Sequence, residues 1–206
     1  VRMSVLLAVG LGYSAKELAR RLHARGWRII GTSRSAEGAR AIDAMGYEGI
    51  PFNGTAPSDA LARAIGEATH LLVSASPGAQ GDPLLAHHAG DLRAANLQWV
   101  GYLSTIGVYG NHDGKWVDEE TPAVPTSERG KARVEAERAW EAFADETGVP
   151  VGIFRLSGIY GPGRGPLEKL RRRESRAVIK PGQVFNRIHV EDIATALEAA
   201  IARAGE

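Results

Sequence analysis

The feature that most constrains this chain lies at its start. The apolar run Ser4-Val-Leu-Leu-Ala-Val9 passes directly into Gly10-Leu-Gly12-Tyr-Ser-Ala15 and then into a helical pattern. In a strand that ends in G-x-G-x-x-A and reopens as a helix, each small residue has its own task. Gly10 permits the tight turn, Gly12 lets backbone approach a pyrophosphate, and Ala15 keeps the helix close to the strand. The first N–H groups of that helix, with Tyr13 and Ser14, offer unpaired donors and a positive dipole end to phosphate. A plain βα connection can use similar residues, but strand, turn and helix stand here in the order that nucleotide binding needs.

Beyond the turn, short β-rich runs alternate with longer helical ones. Strands are expected over Met3–Val9, Trp27–Thr32, His70–Ser74, Trp99–Ser104 and Val149–Arg155. Helices are expected over Ser14–Arg25, Ala36–Ala44, Pro57–Ala68, Pro83–Asn96, Ser127–Thr147 and Val190–Ala204. The strand cores are nearly continuous apolar runs, as in a parallel sheet covered on both faces. The fold class is therefore α/β, a Rossmann-like doubly wound parallel sheet. In the longest helix Ala132, Ala136, Ala139, Trp140 and Phe143 form an apolar stripe. Val178–Lys180 and Val184–Ile188, split by Pro181-Gly182, read as a short hairpin or an excursion from the main sheet.

Composition removes several alternatives. At 206 residues and 44% hydrophobic the chain can bury a real core without staples, and zero cysteines exclude disulfides, Cys-ligated zinc and a thiol nucleophile. A net charge of +1 supplies no general attraction to nucleic acid or membrane, and the longest apolar run, Val5 to Val9, cannot span a bilayer. The expectation is a soluble cytoplasmic protein with neither of those partners and no metal site.

The second strand ends in Gly31-Thr32-Ser33-Arg34, where a site selective for NAD carries an acidic residue for the ribose 2′-hydroxyl. Ser33 and Arg34 suit a 2′-phosphate, so NADP is expected ahead of NAD, the competing reading being that Arg34 is a solvated loop cation. Ser74 and Ser76, at the end of the third expected strand, complete the set of cofactor candidates.

Three further segments carry a family resemblance. Tyr102-Leu-Ser104-Thr105-Ile-Gly-Val108-Tyr109-Gly110, Phe154-Arg-Leu-Ser-Gly158-Ile-Tyr160-Gly-Pro-Gly163 and Arg187-Ile-His189-Val-Glu-Asp192-Ile-Ala194 resemble the extended short-chain dehydrogenase/reductase family, which includes NAD-dependent epimerases and dehydratases. The chain looks most like an atypical bacterial subgroup that lacks the standard catalytic tyrosine. The resemblance implies hydride transfer at nicotinamide, with Thr105 in the role of the Ser/Thr that bonds the substrate oxygen, and a Tyr-x-x-x-Lys opening the long helix. Counting back from Glu137 puts Arg133 at the lysine and Arg129 at the tyrosine, so the dyad is absent. A guanidinium has no acceptor lone pair and cannot take a proton from an alcohol. Arg133 can replace the lysine's contact with the nicotinamide ribose. Arg129 and Arg133 together form either an anion clamp or a solvated face in which Arg133 pairs with Glu137.

Other polar residues carry weaker signals. Tyr109 and Tyr160, at strand ends, are packing residues that could substitute for the missing acid/base. His87-His88 read as a surface pair, His112-Asp113 as a polar loop, and His189 as structural, with Asp192 as a helix-start acceptor. Arg171-Arg172-Arg173 reads as a solvated face.

The resemblance further implies a dinucleotide half over 1–160 and, over 161–206, a returning helix with an incomplete substrate lobe, since relatives continue past Glu206 with another strand and more of that lobe. It also implies a homodimer. The function expected first is an oxidoreductase or epimerase acting on a small, sugar-like substrate. The alternatives are a dinucleotide-binding sensor without turnover and a structural protein that keeps only the fold.

Overall fold

The computed structural model describes residues 3–78, 80–174, 181–182 and 184–204. Its elements run β1 (Val5–Val9), α1 (Tyr13–His23), β2 (Arg28–Ser33), α2 (Ala36–Asp43), β3 (Glu48–Pro51), α3 (Asp59–Glu67), β4 (His70–Val73), α4 (Pro83–Ala94) and β5 (Trp99–Thr105). A 3₁₀ turn (Ile106–Tyr109) leads towards α5 (Glu128–Thr147), β6 (Val151–Leu156), β7 (Gly158–Tyr160), α6 (Pro166–Arg171), β8 (Arg187–His189) and α7 (Val190–Arg203). Six strands form one sheet in the order β3-β2-β1-β4-β5-β6, every pair parallel. The order reverses between β1 and β4, the switch point outside whose carboxyl ends ligands bind in open α/β sheets.

The apolar runs of the sequence acquire a physical reason here. In β1, Val5, Leu7 and Val9 enter one core with Leu61, Ile65, Tyr102, Trp140 and Phe143. Leu6 and Ala8 enter the opposite core with Leu18, Leu22, Ile193 and Leu197. Successive side chains alternate faces, so a strand with helices on both faces must be apolar at every position. Only β6, at the sheet edge, is half-buried along its whole length. Among the described residues no helix is long and apolar enough to cross a membrane.

Several expectations are corrected. β3 was not anticipated, because only Ile50 of its four residues is buried and no apolar run marks it. Val178–Lys180 lies outside the described residues, and the expected hairpin partner is otherwise engaged: Arg187–His189 pairs in parallel with Gly158–Tyr160. The inward face of α5 is not purely apolar. Ala139 is exposed, while Arg133, Val134 and Glu137 are buried with Ala136, Trp140 and Phe143.

The histidines are also placed differently. His88 is 2% exposed rather than on the surface, at a non-helical residue inside α4 (φ −131°, ψ 18°). Its Nε2 accepts from the Ser58 N–H (3.2 Å), so Nδ1 is left to donate to Asp91 (2.7 Å). The start of α7 is capped by His189, which accepts from the Glu191 N–H at 3.3 Å, and not by Asp192.

His70 on β4 is 6% exposed and packs on Trp27 at 4.6 Å between ring centroids. Burial lowers its pKa to about 4. Below pH 6.5 the unfolded chain therefore binds a proton that the folded chain refuses, and stability declines as pH falls from 6.5 towards 4. With allowance for partial solvent access the loss is about 2 kcal/mol. Urea unfolding at pH 7 and pH 5 should show this decline in the native protein and a shallower one in His70→Phe.

Candidate functional site

The glycine turn sits where β1 enters α1. Gly10 has φ +86°, and a Cβ there would lie 3.0 Å from Ser74 Oγ and 3.2 Å from the Ala75 nitrogen, so geometry and crowding both require glycine. The turn is clamped on both sides: the Gly10 N–H donates to Thr32 Oγ1 (2.8 Å) and the Ser74 hydroxyl donates to the Gly10 carbonyl. Gly12 caps α1 with no side-chain acceptor, and the nearest atom to a Cβ built on it is the Gly10 carbonyl oxygen at 3.9 Å. Exposed backbone over an uncapped helix N-terminus is the chemistry that accepts a diphosphate. Ala15, 1% exposed, draws α1 onto the sheet, and Ser14 is buried beside it.

The other cofactor candidates divide by what their side chains already hold. Tyr13 is turned away from the glycines: its hydroxyl donates to the Pro162 carbonyl (2.9 Å), and the Arg164 guanidinium lies over its ring at 5.2 Å. Ser33 faces α2, close to Gly38. Arg34 is exposed at the carboxyl end of β2, and among the described residues no hydrogen bond or ion pair occupies its side chain. Ser74 is committed to the turn, whereas Ser76 is exposed and accepts from Arg133 Nη2 (3.1 Å).

Thr105 and the two arginines occupy three different settings. Thr105 ends β5 half-buried and caps the 3₁₀ turn, its Oγ1 accepting from the Gly107 N–H at 3.2 Å. Arg129 is exposed in the first turn of α5. Arg133 is 7% exposed; its Nη1 donates to the Leu103 carbonyl (2.7 Å) and the Tyr102 hydroxyl (3.2 Å), and its Nε has no partner. The surface pairing of Arg133 with Glu137 does not form, because Arg133 turns under β5 and Glu137 turns towards β6.

Glu137, 2% exposed, is held by Arg155 from Nη2 (2.8 Å) and Nε (3.2 Å) and by the Ser104 hydroxyl (2.5 Å). Arg155 Nη1 also donates to the Tyr109 hydroxyl (3.1 Å). The Glu137 carboxylate raises the Arg155 pKa, fixing the charge on the guanidinium. In the sequence Glu137 serves to count positions and as a surface partner for Arg133, not as a buried anion. Its signal was a carboxylate one turn beyond Arg133 on a helix face that also carries Trp140.

The two buried tyrosines both accept from an arginine. Tyr102 is fully buried, with its pKa pushed up to about 12 by burial, and the Tyr109 hydroxyl accepts from Arg155, which leaves its own O–H free to donate. Tyr160 is 41% exposed and meets His189 edge-on, with 5.0 Å between ring centroids. Asp82 caps α4 through the Leu84 and Leu85 N–H groups, and desolvation raises its pKa. A cleft of about 1090 Å³ opens beside the 3₁₀ turn, lined among others by Tyr109, His112, Lys115, Arg155, Ser157 and Arg187.

With this geometry in place, comparison with known proteins gives a family. A sequence profile of the NAD dependent epimerase/dehydratase family matches residues 6–206. The chain belongs to this family. Protein YeeZ of Escherichia coli (strain K12) is 27% identical over an alignment of 206 positions that covers 95% of this chain and 72% of YeeZ. A functionally unknown conserved protein from Silicibacter pomeroyi superposes with a TM-score of 0.86 at 51% identity, over 98% of this chain and 69% of its own. A dTDP-glucose 4,6-dehydratase from Bacillus anthracis, solved in complex with NAD, shares the fold at 18% identity and TM-score 0.78, over 98% of this chain and 72% of its own.

The buried pair generates a direct test. Removing one partner leaves the other charge desolvated and unpaired, at a cost of about 3–5 kcal/mol. Glu137→Ala should lower Tm by several degrees, and Glu137→Ala/Arg155→Met, with no orphaned charge, should recover a large part of the loss in calorimetry.

Proposed function

We propose that this chain binds a nicotinamide dinucleotide across the carboxyl ends of β2, β1 and β4, with NADP preferred over NAD. The observation that carries the reading is the α1 N-terminus, uncapped by any side chain, with a glycine at the cap and no side-chain atom within 4 Å of where its Cβ would stand. Its N–H groups suit the diphosphate, and exposed Arg34, with no acidic residue beside it, suits a 2′-phosphate better than a free 2′-hydroxyl. The NAD in the Bacillus anthracis dehydratase structure supports the same class of ligand. Bound there, the cofactor would supply a hydride donor or acceptor at nicotinamide C4.

Binding without turnover is the activity that α5 supports. At the positions where the resemblance expects Tyr-x-x-x-Lys, Arg129 and Arg133 hold no proton acceptor, and Arg133 is spent on β5 and Ser76. Titration of NADPH and NADH by nicotinamide fluorescence tests the reading. Saturable binding is expected, tighter for NADPH, and Arg34→Asp should reverse the preference by about tenfold or more, in line with a lost charge-assisted contact of roughly 1.5–3 kcal/mol. No saturation with either nucleotide would refute it.

A second reading, reduction or epimerisation of a small, sugar-like substrate, is favoured by Thr105, which ends β5 at the carboxyl edge of the sheet and caps the 3₁₀ turn whose Ile106 and Tyr109 line the cleft. It predicts change in nicotinamide absorbance with at least one member of a panel of carbonyl compounds and sugars, and a roughly tenfold or greater loss of that rate in Thr105→Ala, by analogy with the removal of a transition-state hydrogen bond.

A further inference from the structure

We infer that Arg133 is a positioning residue whose effect on the dinucleotide passes through Ser76, so that the pair, rather than the guanidinium alone, forms one wall of the binding site. The inference rests on the dinucleotide reading above. Its starting point is a burial mismatch: Arg133 is 7% exposed, whereas Ser76 is exposed at the carboxyl end of β4. The guanidinium meets solvent-facing chemistry only where its Nη2 donates to Ser76 Oγ at 3.1 Å. Its Nη1 is held below by the Leu103 carbonyl at 2.7 Å and the Tyr102 hydroxyl at 3.2 Å, and the group lies over the Tyr102 ring at 5.7 Å.

The consequence for Ser76 is chemical. Arginine only donates, so the Ser76 oxygen accepts and its own O–H is left free to donate. A donor charged in all states of the protein holds that arrangement without competition, and polarises the hydroxyl it bonds. Ser76 stands two residues past Ser74, whose hydroxyl fixes the Gly10 carbonyl of the glycine turn. A hydroxyl directed in this way, beside the turn that accepts the diphosphate, presents a proton to an acceptor oxygen of the bound nucleotide.

A double-mutant cycle read by NADPH affinity tests the inference. Ser76→Ala is expected to weaken NADPH by about fivefold, the scale of one net hydrogen bond, with ligand-free Tm unchanged because Ser76 is exposed. Arg133→Lys keeps the charge but loses the planar fork that spans Leu103, Tyr102 and Ser76 at once, and should weaken NADPH to a similar extent. The double variant should bind no worse than the weaker single one. Should Arg133→Lys not fold, Tyr102→Phe removes one anchor of the guanidinium, and is expected to weaken NADPH in the Ser76 protein but not in Ser76→Ala. Losses that multiply, or wild-type affinity in Ser76→Ala, would overturn the coupling while leaving the dinucleotide reading intact. Absence of NADPH and NADH binding to the unmodified protein would overturn both.

Discussion

A strand that loses water on both faces has no place for an unpartnered polar side chain, and β1, β4 and β5 hold the chain to that condition: His70, Tyr102 and Ser104, buried there, are each hydrogen-bonded. All five residues of β1 and all four of β4 are buried. Burying an unpaired polar group costs on the order of 1–3 kcal/mol, so the middle of such a sheet is closed to chemistry. Polar and small residues collect instead just past the strand ends: Gly10 and Gly12 after β1, Arg34 after β2, Ser74 and Ser76 after β4, and Thr105 at the end of β5. The carboxyl edge of the sheet has room for a site where the middle of the sheet has none.

Helix α5 is the exception. It turns two charged residues inward, one helical turn apart, and each finds a different strand: Arg133 goes under β5 and Glu137 goes to Arg155 on β6. The i, i+4 spacing that would let them neutralise each other on a surface instead joins two strands to one helix. Arg129, one turn earlier, is exposed and joins nothing there. The same local pattern therefore serves two purposes, and the side chain at the position where the resemblance expects the lysine becomes part of the frame.

Much of the fold was legible because double-sided burial writes itself into sequence as unbroken apolar runs. The five strands that show such runs were located, while β3 and β7 were not and β8 was met only in part by the expected segment Val184–Ile188, since edge and short paired strands need few buried residues. The glycine turn was legible because its constraint is local, a positive φ at Gly10 and no side chain at Gly12. The Glu137–Arg155 pair, the inward turn of Arg133 and the burial of His88 were not, because each is decided by a partner more than fifteen positions away. A charged residue on a helix reads as solvent-facing unless its distant counterpart is known, and nothing in the spacing of α5 points to β6.

The bond from Tyr13 to Pro162 joins residues 149 positions apart. A contact of that separation carries no weight until the intervening sheet is built, because loop closure must be met before the contact returns anything. Tyr13 is the residue that opens α1, yet its side chain is oriented by a loop synthesised almost a whole domain later. A fragment holding only the first βαβ unit would display the full glycine pattern with its roof missing. The turn itself is held by Thr32 and Ser74, but the side chain that opens its helix is set by a residue encoded far later.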